Sequence, residues 1–230
     1  MHTISRGNLA QLVAEALPKH SAVNLGIGMP TLVAHYLPAD SGVLLHSENG
    51  ILGMRGLEGT ERGDPDLINA SKEFVRLNPG ASIFDHALSF AIMRGGHLDV
   101  TVLGAFEVAS NGDLANWSLG ESDPLPSVGG AMDLAQGARQ VWVMMDSCTR
   151  DGKSRLIECC TLPLTGQGVV DRVYTEIGVF EIINKKFRPL SLVHGISRDD
   201  VCRKVAGPLE WNDSATAIIP GVEVKAGEVQ

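Results

Sequence analysis

Short apolar runs that pass straight into glycine turns, and from there into helix-type segments, constrain this chain more than any other feature. Residues 22–25 form a buried-strand run that enters Gly26-Ile27-Gly28-Met29-Pro30 without a polar break, and a helix is expected over 31–36, just past the proline. Residues 43–46 read as the next strand, with Glu48 at its end and a turn through Gly50 and Gly53. Residues 99–104 read as a central strand, and 140–145 as a continuous apolar strand of the kind buried on both faces. Helical patterns lie at 8–17 (Leu9, Leu12, Val13, Leu17, stopped by Pro18) and 86–94 (closed by Gly95-Gly96), and 129–137 reads as a loop entering a helix. This alternation selects an α/β fold, an open mixed sheet flanked by helices.

The remaining segments fit that architecture. Asn111-Gly112 between 106–110 and 113–117 is a hairpin signal, and Asp151-Gly152 marks another. Residues 82–84 read as a short strand and 55–66, rich in glycine and charge, as a surface loop. Strands are expected at 172–175, 179–183 and 190–194, and a helix at 198–205 with Ser197 as its N-cap. No repeat or linker interrupts the chain, so residues 1–224 are read as one domain and 225–230 as a short polar tail.

Charge and cysteine usage exclude several function classes. The net charge of -8 and the absence of basic runs argue against nucleic acid or membrane-surface partners. No apolar run is long enough to span a bilayer, and no signal peptide is visible, so a cytoplasmic protein is expected. The four cysteines, Cys148, Cys159, Cys160 and Cys202, show no CxxC spacing and read as reduced thiols. His86, His97 and His194 lack ligand spacing, so no metal is expected.

Glu48 stands where α/β folds bind ligands, at the C-terminal end of a strand. By itself such a carboxylate is usually solvated. Two glycine turns add anion-binding potential, because Gly26-Ile27-Gly28 and Ser127-Val128-Gly129-Gly130 both present backbone N–H groups beyond a strand. The first lacks the third glycine of a dinucleotide fingerprint.

The run Leu45-His46-Ser47-Glu48-Asn49-Gly50-Ile51-Leu52-Gly53 resembles the signature of the second half of family I coenzyme A transferases, the 3-oxoacid type. The resemblance extends through residues 23–30, 93–99, 112–117, 129–134 and 160–166. It implies the fold of the CoA transferase and sugar-phosphate isomerase superfamily, with Glu48 as the covalent nucleophile. It implies Gly129 as an oxyanion donor with Gly130 close by, Asn24 at the reacting group and Lys72 as a cation near the substrate carboxylate or the CoA moiety. Gly26, Gly28 and Asn49 complete the expected binding set. His46 is expected to support its strand and Trp117 to pack in the core. CoA is implied as substrate and covalent intermediate, with no permanently bound cofactor. The chain would be the beta half of the enzyme, and a separate CoA transferase alpha subunit in an α2β2 assembly is implied as partner.

The stretch Ala138 to Asp146 looks like the 3-oxoadipate branch, so succinyl-CoA and 3-oxoadipate are the expected substrates. Acetoacetate is the alternative acceptor, and a CoA-ester hydrolase is a more distant one. Two positions depart from the pattern. Arg55 replaces a common glycine, and Ser147-Cys148 stands where that branch commonly has His after the aspartate.

Overall fold

The computed structural model describes residues 3–38, 40–123, 126 and 128–218. Ser127 and the 225–230 tail lie outside them. Helix α1 (Arg6–Ala16) is capped by Ser5, whose hydroxyl accepts from Asn8 N–H, and turns Leu9 and Val13 inward. Strand β1 (Ala22–Leu25) leads through Gly28 (φ 90°) into Met29–Tyr36, which is a 3-10 helix rather than an α-helix. Strand β2 (Leu44–Ser47) follows, then β3 (Ile51–Arg55), β4 (Arg76–Ile83), α2 (His86–Arg94) and β5 (Val100–Leu103). Beyond them come β6 (Glu107–Ala109), β7 (Leu114–Ala115), α3 (Ala131–Gly137), β8 (Gln140–Met144), β9 (Leu156–Ile157) and β10 (Val170–Thr175). The chain closes with β11 (Gly178–Ile183), β12 (Lys186–Val193), α4 (Arg198–Lys204) and β13 (Thr216–Ile218).

Ten strands form one open sheet in the order β13-β12-β11-β10-β8-β5-β1-β2-β3-β4, and β7-β6-β9 form a small second sheet. The centre, from β10 to β2, is parallel. Both flanks carry antiparallel pairs, β2–β3–β4 on one side and β10–β11–β12 on the other. Side chains alternate across the central strands as the pleat requires. Val100, Val102, Trp142 and Met144 join the α1 side of the core, whereas Leu103, Val141 and Val143 join the side packed by Met93 of α2 and Leu134 of α3. Their C-terminal ends therefore all open on one edge of the molecule.

Four readings change. The turn expected through Gly50 and Gly53 contains strand β3, which pairs with β2 as a hairpin. Gly53 (φ 86°) sits where the β3–β4 register slips, with a Cβ position only 3.1 Å from Ala81 Cα. The strand expected at 82–84 is the end of the longer edge strand β4. The strand at 113–117 shortens to two residues, and β9 and β13 were not anticipated.

Candidate active site

Glu48, Asn49 and Gly50 make the tip of the β2–β3 hairpin, between the paired Ser47 and Ile51. The tip depends on Gly50, which takes φ 111° and would place a Cβ 2.0 Å from the Phe84 carbonyl oxygen. Asn49 Nδ2 donates to the Ile68 carbonyl (2.7 Å), and Ser47 Oγ accepts from Ala70 N–H (2.9 Å). These two bonds hang the loop before β4 on the hairpin. Glu48 is thus displayed, half-buried, at the end of a parallel strand.

The strand ends enclose a cleft of about 800 Å³ whose lining includes Glu48, Asn24, Gly26, Gly129, Gly130 and Arg155. Gly130 precedes α3 and approaches Glu48 so closely that a Cβ there would lie 2.3 Å from Glu48 Oε2. Its N–H donates to the Glu48 carboxylate. Burial raises the Glu48 pKa above the usual carboxylate value and the Asp133 charge adds to it, while His86 and the Gly130 bond partly offset the rise.

Asn24 is buried and pairs in register with His46 across β1 and β2. Its Nδ2 lies 3.2 Å from both His46 Nδ1 and the His46 carbonyl oxygen. The carbonyl fixes the orientation of the amide, because an oxygen there would face another acceptor. His46 Nδ1 therefore accepts, Nε2 carries the proton, and Ser89 Oγ receives it at 3.0 Å. Burial lowers the His46 pKa to about 4, so this relay is neutral. With both amide hydrogens engaged, Asn24 offers the cleft an acceptor, Oδ1.

The expected residues do not all converge. Gly28 opens the 3-10 helix, where its carbonyl accepts from Thr31, and is not part of the cleft lining. Asn49 is exposed and spent on the Ile68 bond. Lys72 is exposed in a turn at φ 64°, outside the lining, although its neighbours Ser71 and Glu73 belong to it. Arg55 lines the cleft but is held by Glu61 through two contacts of 2.7 and 2.8 Å, which leaves it a poor phosphate ligand. Trp117 is half-buried and donates to the Leu164 carbonyl (3.1 Å). Ser147 is fully buried on Glu176, which also pairs with Lys204 at 2.8 Å, so this departure from the 3-oxoadipate pattern lies behind the cleft. Among the described residues no group of three or more His, Cys, Asp or Glu could hold a metal. All four cysteines are unbonded.

Arg155 was missed. It follows the Asp151-Gly152 turn, and no sequence pattern marks it. Only tertiary structure brings its guanidinium across the ends of β5 and β8.

Residues 6–204 match the family described as Coenzyme A transferase. The chain is 48% identical over 208 residues to the B-type subunit of 3-oxoadipate CoA-transferase from Acinetobacter baylyi, covering 90% of this chain and 96% of that one. It is 44% identical over 207 residues to the B-type subunit of succinyl-CoA:3-ketoacid coenzyme A transferase from Helicobacter pylori, covering 89% and 98%. Among solved structures, the acyl-CoA transferase YdiF of Escherichia coli O157:H7, in a thioester complex with CoA, superposes with a TM-score of 0.72 at 16% identity. This chain spans 43% of that longer one. Glutaconate coenzyme A-transferase of Acidaminococcus fermentans superposes at 0.64 and 15% identity, covering 95% of this chain and 90% of that one. At such identities the structures speak for the fold alone. The chain belongs to the coenzyme A transferase family, among its beta-type subunits.

Proposed function

We propose that this chain is the nucleophile-bearing subunit of a 3-oxoacid CoA transferase that moves CoA from succinyl-CoA to 3-oxoadipate through a glutamyl-CoA thioester on Glu48. The observation that carries the reading is the Glu48 carboxylate, aimed into the cleft against the Gly130 N–H. An ionised carboxylate attacks a thioester without a general base. The attack breaks the C–S bond and gives an acyl-glutamyl anhydride and CoA thiolate. The thiolate attacks the glutamyl carbonyl, expels the donor's carboxylate and leaves glutamyl-CoA. The acceptor carboxylate then displaces the thiolate, and the thiolate attacks the new acyl carbonyl to release product and regenerate Glu48. Each tetrahedral intermediate bears an oxyanion, for which Gly129 and Gly130 offer N–H donors worth about 3 kcal/mol apiece.

A separate alpha subunit, in an α2β2 assembly, completes the site in this reading. The names of the relatives, each one subunit of a larger enzyme, support a partner. So does the cleft rim, where Ile27, Phe74 and Val128 line the opening yet remain 68%, 49% and 38% exposed. Covering the rim would also keep water from the thioester. The Helicobacter pylori relative, named for succinyl-CoA and a 3-ketoacid, supports succinyl-CoA as donor and a 3-oxoacid as acceptor, with acetoacetate as the alternative acid to test.

The test is the chain co-purified with its alpha subunit, supplied with succinyl-CoA and each acid in turn. Transfer should depend on the acid and vanish in Glu48→Ala. Release of free CoA at the same rate without any acid would replace the transferase reading with hydrolysis.

A further inference from the structure

Of the three arginines that line the cleft, Arg155 alone has no ion-pair partner among the described residues. Its Nε donates to the Phe106 carbonyl (2.9 Å), one terminal nitrogen to the Ala105 carbonyl and the other to the Asp146 carbonyl (3.5 Å). A guanidinium carries five N–H groups, so these three bonds leave about two unused. No described carboxylate lies within ion-pair distance of it. Asp146, Glu176 and Glu107 favour its charge from beyond contact distance, and two of them are paired with other cations, Asp146 with Arg6 (2.9 Å) and Glu176 with Lys204 (2.8 Å). Burial works against the Arg155 charge. A guanidinium nonetheless stays protonated. A half-buried permanent cation that lines a cleft, is held by carbonyls and has spare N–H donors but no carboxylate in contact can receive an anion.

Its place relative to Glu48 limits which anion. Arg155 is anchored on the residues just beyond β5, and β5 lies two strands from β2 in the sheet. Two strand spacings are roughly 10 Å. A six-carbon dicarboxylate separates its carboxyl carbons by roughly 6 Å, from C–C bonds of about 1.5 Å. Adding one hydrogen bond at the Arg155 end and one attack distance at the Glu48 end spans that gap. A monocarboxylate such as acetoacetate has nothing to offer at the far end.

We infer that Arg155 binds the second carboxylate of a dicarboxylic acyl chain whose first carboxyl reacts at Glu48, and so makes the enzyme selective for dicarboxylates such as 3-oxoadipate. This rests on the transferase reading above, from which its test is separable. The assembled enzyme, as wild type, Arg155→Met and Arg155→Lys, is assayed with 3-oxoadipate and acetoacetate as acceptors from one donor. The quantity read is the ratio of the two kcat/KM values. Losing a hydrogen bond to a charged group should lower that ratio roughly 10- to 100-fold in Arg155→Met, chiefly through the KM for 3-oxoadipate. Arg155→Lys, which keeps the charge without the planar fork, should fall between and carries the test if the methionine variant does not fold. An unchanged ratio overturns the inference, whether both acceptors suffer equally or neither does. If the wild type transfers CoA to no acid, the transferase reading fails, and thermal stabilisation by adipate against butyrate still decides the role of Arg155. Adipate should stabilise the wild type alone, and equal or absent stabilisation of wild type and Arg155→Met contradicts the assignment.

Discussion

Replacing Gly130 by alanine separates the placement of Glu48 from the integrity of the fold. Gly130 has φ -87° and ψ 5°, which alanine adopts without strain, so the backbone tolerates the change. The new methyl would lie 2.3 Å from Glu48 Oε2, whereas ordinary contact begins at 3.4 Å. The carboxylate must therefore retreat by about 1 Å, and it is the softer of the two partners. A misplacement of that size costs roughly 100-fold in rate. Global stability should move by no more than about 1 kcal/mol, since glycine and alanine differ by little more at such a position. The assay pairs single-turnover release of CoA from succinyl-CoA with a thermal melt of the same preparation. A variant within threefold of wild type would refute the contact between Gly130 and the nucleophile. A variant that melts early would show that Gly130 serves the fold instead.

Two further predictions concern pH. The Glu48 pKa is raised in the fold, so ionising it costs stability as pH rises from the unfolded carboxylate value through the folded one. Glu48→Gln should consequently raise Tm at pH 7, with the gain shrinking as pH falls towards the unfolded carboxylate value and gone below about pH 4, and a pH series of melts with no such trend removes the burial argument. The His46 pKa is depressed from 6.5 to about 4, which favours the native state above pH 6.5 and withdraws about 3 kcal/mol as pH falls to 4. His46→Gln should flatten the acid branch of the stability curve over that window, and an unaltered branch would mean that another group controls acid unfolding.

Much of this molecule is legible because its central strands are apolar on both faces. Residues 100–103 and 140–144 announce themselves as buried parallel strands, and the Ser197 cap and the Pro18 stop bound two helices well. The β2–β3 hairpin is not legible. Gly50 and Gly53 look like coil, and only the contacts of Gly50 with Phe84 and Gly53 with Ala81 explain glycine beside and within a paired strand. Strand β4 hides for a related reason, as an exposed edge with Pro79-Gly80 at its middle lacks apolar alternation. In the cleft, the family signature locates Glu48, Asn24 and the Gly129-Gly130 turn. It does not foretell that Gly130 is the donor to the resting carboxylate, that His46 consumes both amide hydrogens of Asn24, or that Lys72 sits outside the lining. Arg155 leaves no trace in the sequence because its meaning comes from three carbonyls on distant segments.

The central claim is that Glu48 carries CoA covalently, and peptide mass spectrometry tests it most directly. The assembled enzyme is mixed with succinyl-CoA alone, quenched, digested and read at the peptide spanning the β2–β3 hairpin. The account predicts a CoA adduct confined to Glu48 that disappears when an acceptor acid is added. An active enzyme that shows no adduct there, or whose adduct ignores the acceptor, would contradict it.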